Sequence, residues 1–211
     1  MLSNKLYLDD ICDKIADSRV LLRADFNVPV DKGVVKDDKR IVETLHTVFR
    51  ILENSPKCLI IMSHLGRPDG KRVEKFSLKP VAERLEQIIG LPIHFLNDCI
   101  GEEVQTAIAN CNQGDIFLLE NVRFHLEEEG KGTDEQGNPV KATKEAIAEF
   151  RSQLTSLGDI YINDAFGTAH RAHSSLVGID LPYRASGILM KTELDYFAKA
   201  LENPKRPFLG T

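Results

Sequence analysis

The sequence predicts an α/β protein, a three-layer, Rossmann-like arrangement in which a parallel sheet is flanked by helices. Short apolar runs alternate with segments of helical periodicity through most of the chain, glycines close two of the helical segments, and no internal repeat is evident. Strands separated by helices imply parallel pairing through right-handed crossovers. A chain of 211 residues is long enough to bury a real core, and one large domain with a terminal appendage fits it best.

The first strand is read at Val20–Arg23. A helix follows, because Ile41, Val42, Leu45, Val48, Phe49 and Leu52 recur at helical spacing. The purely apolar run from Cys58 opens a second strand, Cys58–Ser63. Leu78, Val81, Ala82, Leu85, Ile88 and Ile89 form the next helix, with Ser77 as a plausible N-cap and Gly90 as its stop. A third strand is read at Ile93–Leu96, a helix around Val104, Ala107 and Ile108, and a fourth strand at Asp115–Glu120. The segment Leu126–Lys141, LEEEGKGTDEQGNPVK, is rich in acids and glycine and predicts a solvated surface loop. Ala146, Ile147, Phe150, Leu154 and Leu157 then give a helix closed by Gly158, and Asp159–Asn163 a fifth strand. Leu189, Leu194, Phe197, Ala198 and Leu201 mark a last helix, broken by NPKRP.

Composition narrows the function. Hydrophobic content of 42% and charged content of 28% are those of a globular protein, and the longest purely apolar run, Cys58–Met62, is far too short to span a bilayer. The N-terminus carries acids from Asp9 onward and has no continuous apolar stretch, so it reads as neither signal nor transit peptide, and a cytoplasmic address is expected. Cys12, Cys58, Cys99 and Cys111 show no CxxC pair or zinc spacing and are expected to be reduced. A net charge of −5 disfavours nucleic acid and anionic membrane as partners, so any anion must be caught by a local cluster.

Ligands of open α/β sheets bind outside the carboxyl ends of the strands. The first strand runs into RADFN, with Arg23, Asp25 and Asn27; the second into SHLGRP, with His64 and Arg67. The fourth runs into LENVRFH, with Arg123 and His125, and the fifth into NDAFGTAHRAH, with His170, Arg171 and His173. Arg40 lies in the first turn of a helix, where free N–H groups also favour an anion. His46, His94 and the lysines of helix faces, Lys144 among them, are scattered and read as structural. Arginine forks bind phosphate or carboxylate, Asp25 can accept from a hydroxyl and Asn27 can do either, so a small hydroxylated phospho-acid suits the mixture. If His64 and His170 face that anion, their protonation between about pH 7.5 and about pH 6 should strengthen binding. No G-x-G-x-x-G follows the first strand, and GRPDGKR misses a P-loop by one residue, so its glycines read as turn glycines. Ser174 and Ser175 lie near histidines without a nucleophile elbow, which makes a hydrolase a poor reading.

RADFNVP, SHLGRP, LENVRF and NDAFGTAHRAHSS closely resemble phosphoglycerate kinase, and the resemblance runs from the N-terminus to about Leu209. It implies the N-terminal half of that enzyme, a parallel-sheet unit that binds 3-phosphoglycerate or 1,3-bisphosphoglycerate. Residues 1–188 would form the phosphoglycerate-binding domain, and 189–211 the interdomain helix and a truncated linker. By the same resemblance Asp25 and Asn27 meet the hydroxyl and carboxylate region, and Arg40 lies beside the transferring phosphoryl as the catalytic residue. His64, Arg67, Arg123, His170 and Arg171 complete a basic patch, while His173 reads equally well as structural. Ala24 stands where the family commonly has a larger aliphatic residue, which bears on strand packing. The nucleotide-binding half has no counterpart here, so Mg²⁺ with ADP or ATP is expected on that other half and not on this chain, which would be an inactive monomer alone. The implied reaction is in-line phosphoryl transfer between 1,3-bisphosphoglycerate and ADP. Two alternatives are a stand-alone phosphometabolite-binding module, which a gene ending near Thr211 would favour, and a nucleic-acid binder, which the acidic charge and 7% aromatic content oppose.

Overall fold

The computed structural model describes residues 6–202. Its centre is a six-stranded, wholly parallel sheet of β1 (Arg19–Arg23), β4 (Cys58–Met62), β5 (Ile93–Phe95), β6 (Asp115–Leu118), β9 (Ile160–Asn163) and β10 (Tyr183–Ser186), in the order β10-β9-β1-β4-β6-β5. All five predicted strands are present to within two residues. The edge strand β10 was not anticipated, because YRAS lacks an apolar run and two of its residues are exposed. Two short antiparallel pairs complete the strands, β2 (Val30–Asp31) with β3 (Val34–Val35), and β7 (Lys131–Thr133) with β8 (Pro139–Lys141).

Strand periodicity sorts the core into two layers. Val20, Leu22, Leu59, Ile61, Ile160 and Ile162 face α1 (Lys39–Leu52) and α2 (Lys79–Ile89). Leu21, Ile60, Met62, Phe117 and Tyr161 face α3 (Glu102–Ala109) and α5 (Lys144–Ser156) on the opposite side. Ala24 is fully buried in the first layer, and its N–H donates to the Met62 carbonyl at 3.0 Å, so the small side chain leaves the strand exit well packed. Gly90 ends α2 in the left-handed region at φ 72°, as predicted, while Leu78 takes the N-cap position assigned to Ser77. The apolar face of α1 is narrower than its sequence suggests: Ile41, Val48 and Ile51 are buried, but Val42 and Phe49 are exposed.

The largest departure is Leu126–Lys141. It is a helical turn, α4 (Leu126–Glu129), followed by the β7–β8 pair, and Glu128 within it is buried. The expected solvated loop is thus ordered structure at its start, where Glu128 is drawn inward by Ser175, while residues 135–139 are exposed as predicted. The last helix, α7 (Ile188–Glu202), starts where predicted and packs against α1. The predicted breaker NPKRP and the side chains of Phe197, Ala198 and Leu201 lie outside the described residues. No helix among the described residues is long and apolar enough to cross a membrane.

Candidate functional site

From β1 the chain runs to β4 and then to the edge strand β5, comes back to insert β6 between them, and crosses to place β9 on the other side of β1. The carboxyl ends of β9, β1, β4 and β6 are therefore neighbours along one edge, around the point where the winding reverses. Those four strands carry the cation-bearing segments of the sequence. A cavity of about 640 Å³ lies there, in the range of small-molecule sites. Asp25, Asn27, Arg40, His64, Arg67, Arg123, His170 and Arg171 all line it. Its wall holds four arginines and two lysines against three carboxylates, in a chain of net charge −5.

Asp25, Asn27, Arg40 and Arg123 are fixed by their neighbours. Ser63 Oγ accepts the Phe26 N–H at 2.8 Å and donates to the Ala24 carbonyl at 2.9 Å, pinning the exits of β1 and β4 together. Asp25 then accepts from Arg40 Nη1 at 2.7 Å and from the Asn27 N–H at 3.2 Å. Asn27 Oδ1 accepts the Gly66 N–H at 2.8 Å, and the Gly66 carbonyl accepts from Arg123 Nη1 at 2.8 Å. Asn121 joins the exits of β6 and β4, donating to the Leu65 carbonyl at 2.7 Å while accepting the Arg123 N–H at 3.1 Å. Gly167 packs so closely on Asp25 that a Cβ there would lie 2.5 Å from Oδ2. Arg40, Arg67, His170 and Arg171 are exposed to the cavity, whereas Arg123 is buried and its Nε–H has no partner among the described residues. Burial lowers the pKa of Arg123, with Glu129 pulling the other way; a guanidinium stays charged all the same.

Beneath this wall lies a buried polar layer. Arg23 is fully buried; its Nε donates to Ser175 Oγ at 2.8 Å, Nη1 to the Ala24 carbonyl, and Nη2 meets His64 Nδ1 at 3.2 Å. Glu128 accepts both the Ser175 N–H at 2.8 Å and its hydroxyl at 2.6 Å. His173 is buried against Glu129, 3.3 Å from Nε2, and does not line the cavity, which favours its structural reading. Burial, reinforced by Arg23, Arg123, His173 and Arg40, pushes His64 far below the usual histidine range. Burial and the surrounding cations therefore oppose the protonation of His64 expected near neutral pH.

Residues beyond the predicted wall also shape the site, and two strand-end cations read from the sequence, Arg23 and His125, do not line the cavity. The β7–β8 pair and the end of α4 wall the cavity through Glu129, Lys131 and Lys141, and Asp69 joins them. Their only signal was charge in a stretch that resembled a loop. Arg23 and Glu128, by contrast, gave no signal of burial. His125 is held by Asp98 at 2.6 Å, away from the cavity, with the buried thiol of Cys99 close by. These three donors lie within 4.8 Å of one another, but the ion pair already accounts for Asp98 and His125, and burial raises Cys99 well above the ordinary thiol value. Among the cavity carboxylates, Asp25 is engaged by Arg40, and Glu129 lies beside His173 and Arg123. The third, Asp69, is exposed and pairs with no cation among the described residues.

The family model for phosphoglycerate kinase matches residues 8–210. The chain is 58% identical over 209 residues to the phosphoglycerate kinase of Tetrahymena thermophila, covering 99% of this chain and 50% of the relative. It is 54% identical over 210 residues to that of Plasmodium falciparum, covering 100% of this chain and 50% of the relative. Among solved structures, phosphoglycerate kinase from Coxiella burnetii superposes with a TM-score of 0.75 at 31% identity, covering 96% of this chain and 46% of the other. The enzyme from Pyrococcus horikoshii gives 0.79 at 27% identity, covering 96% and 47%. The chain spans about half the length of the curated relatives it matches.

Proposed function

Because the chain belongs to the phosphoglycerate kinase family, we propose that its cavity binds 3-phosphoglycerate and 1,3-bisphosphoglycerate, and that it serves phosphoryl transfer between 1,3-bisphosphoglycerate and ADP in glycolysis. The observation that carries this reading is the convergence of eight residues, from four strand ends and one helix, on a single cationic cavity. Arg67, Arg123 and Arg171 take the phosphate of the phospho-acid. Asp25 and Asn27 accept and donate at its hydroxyl and carboxylate region, and His64 and His170 complete the wall. Arg40, oriented by Asp25, faces the transferring group and is the catalytic residue.

In the direction of ATP formation an ADP oxygen attacks the acyl phosphorus in line, the acyl P–O bond breaks, and the carboxylate of 3-phosphoglycerate leaves with the electron pair. Arg40, held by Asp25, and Arg123, held by the Gly66 carbonyl, offset charge on the moving phosphoryl without reorganising. The Mg²⁺-nucleotide is assigned to a partner half outside these 211 residues, since two of the three cavity carboxylates, Asp25 and Glu129, already lie against cations of this chain. A cytoplasmic monomer suits that chemistry and the free cysteines.

Calorimetry with 3-phosphoglycerate tests the reading. Arg123→Ala and Arg171→Ala should each weaken binding about tenfold or more, the loss of one charge-assisted contact. Lys144→Ala, on an exposed position of α5 outside the cavity, should not. Equal weakening by all three changes would refute a single convergent site. The chain alone should show neither Mg²⁺-ADP binding nor turnover.

A further inference from the structure

The buried layer under the cavity has only one consistent placement of protons. A carboxylate can only accept, so the 2.6 Å contact between Glu128 and Ser175 is a hydroxyl donating to Glu128. The lone pairs of that oxygen are then free to accept Arg23 Nε–H at 2.8 Å. A guanidinium has no acceptor and does not deprotonate in proteins, so at 3.2 Å His64 Nδ1 must be the unprotonated nitrogen. His64 lines the cavity, and its Nε2 has no protein partner among the described residues.

We propose that Arg23 is a positioning residue that holds His64 as its neutral Nε2–H tautomer, anchored in turn by Ser175 and Glu128, so that the cavity presents a fixed neutral donor among its cations. This rests on the reading of the cavity as the 3-phosphoglycerate site. Arg23 is fully buried and cannot itself touch substrate. It acts through the ring it orients, as second partners of imidazoles commonly do. The charged and titratable groups around His64 are Arg23 from β1, Arg40 from α1, Arg123 after β6 and His173 before the helical turn Ser174–Val177. The arginines disfavour an imidazolium from three elements, while the carboxylates of Glu128 and Glu129 lie next to His173. A neutral donor keeps its hydrogen bond to an oxygen acceptor at every physiological pH, which a titrating histidine would not.

Long-range ¹H–¹⁵N correlation on the ¹⁵N-labelled 211-residue chain reads the tautomer directly. His64 should show a protonated Nε2 and a bare Nδ1 from about pH 8 down to about pH 5, across the usual histidine range. An Nδ1–H tautomer, or an imidazolium anywhere in that interval, would overturn the proposal, and this wild-type measurement decides it whether or not any variant folds. In Arg23→Met, which removes the donor but keeps a long side chain, His64 should titrate within the interval or populate the Nδ1–H form, and 3-phosphoglycerate should bind about tenfold more weakly. An unchanged tautomer in that variant would overturn the role of Arg23. Adding 3-phosphoglycerate to the wild-type chain separates the two claims: a tautomer as expected with no response of Nε2–H to ligand refutes the substrate reading and leaves the positioning of His64 intact.

Discussion

Gly167→Ala should impair the site while sparing the fold. Gly167 is in the turn after β9, and a Cβ there would stand 2.5 Å from Asp25 Oδ2 and 3.9 Å from Arg40 Nη1. Ordinary contact requires the carboxylate oxygen to retreat by roughly 1 Å. Asp25 is a short side chain held by only two bonds, so it can rotate away, but its 2.7 Å bond to Arg40 would then stretch beyond hydrogen-bond length. Arg40 is 49% exposed and water replaces that partner, so stability should change by about 1 kcal/mol or less. Function should suffer more: affinity for 3-phosphoglycerate should drop about tenfold, and transfer by up to ~10²-fold from the misplacement of Arg40. Thermal unfolding and calorimetry on the same preparation read both effects. Gly132→Ala is the contrast, since its Cβ would run into the backbone carbonyl of Asp69, which cannot swing aside, so that variant should lose stability. If Gly167→Ala binds as tightly as the wild type, or destabilises as much as Gly132→Ala, the account of Asp25 and Arg40 as a mutually aligned pair is wrong.

Arg40→Ala, assayed with the chain joined to a nucleotide-binding half, should lower kcat by roughly 10³-fold while changing the KM for 3-phosphoglycerate much less, as for arginines that meet a transferring phosphoryl; parallel losses would make Arg40 an ordinary binding group. Burial raises the pKa of Asp164, so the folded chain holds that proton more tightly than the unfolded one, and the stability it contributes at low pH is lost as pH rises through the raised value. Asp164→Asn, which keeps the oxygen that accepts the Met190 N–H at 3.0 Å, should therefore raise Tm at pH 8 by roughly 3 °C and change it little at pH 4; an equal shift at both would refute the assignment.

The sheet was legible because parallel strands buried on both sides leave a strong apolar signature; four of the five predicted strands are the interior β9, β1, β4 and β6, and the fifth is the edge strand β5. β10 was not, since an edge strand with solvent on one side needs no apolar run, and Tyr183 and Arg184 are exposed. Leu126–Lys141 failed for a different reason. Acids and glycines in sequence predict solvation only when nothing in the fold can neutralise them, and Glu128 meets the Ser175 N–H and hydroxyl 47 residues away. The helical face of α1 was overread because Val42 and Phe49 continue the apolar spacing without meeting the core.

The site divides along the same line. Its outer wall was readable because solvent-facing arginines after strands have few other reasons to accumulate, and the topology that gathers them follows from the strand order. The inner layer of Arg23, Ser175, Glu128 and His173 was not, because burial of a charge is a property of pairing across the whole chain. Arg23 and Glu128 lie in unrelated segments, and neither would be tolerated inside without the other and the hydroxyl between them. The error over His64 has this same root. A histidine after a strand suggests a titrating cation until the fold reveals a permanent guanidinium at its Nδ1. What the fold adds is therefore the division of labour in the cavity, in which arginines supply an unvarying positive charge and His64 a donor that pH does not switch.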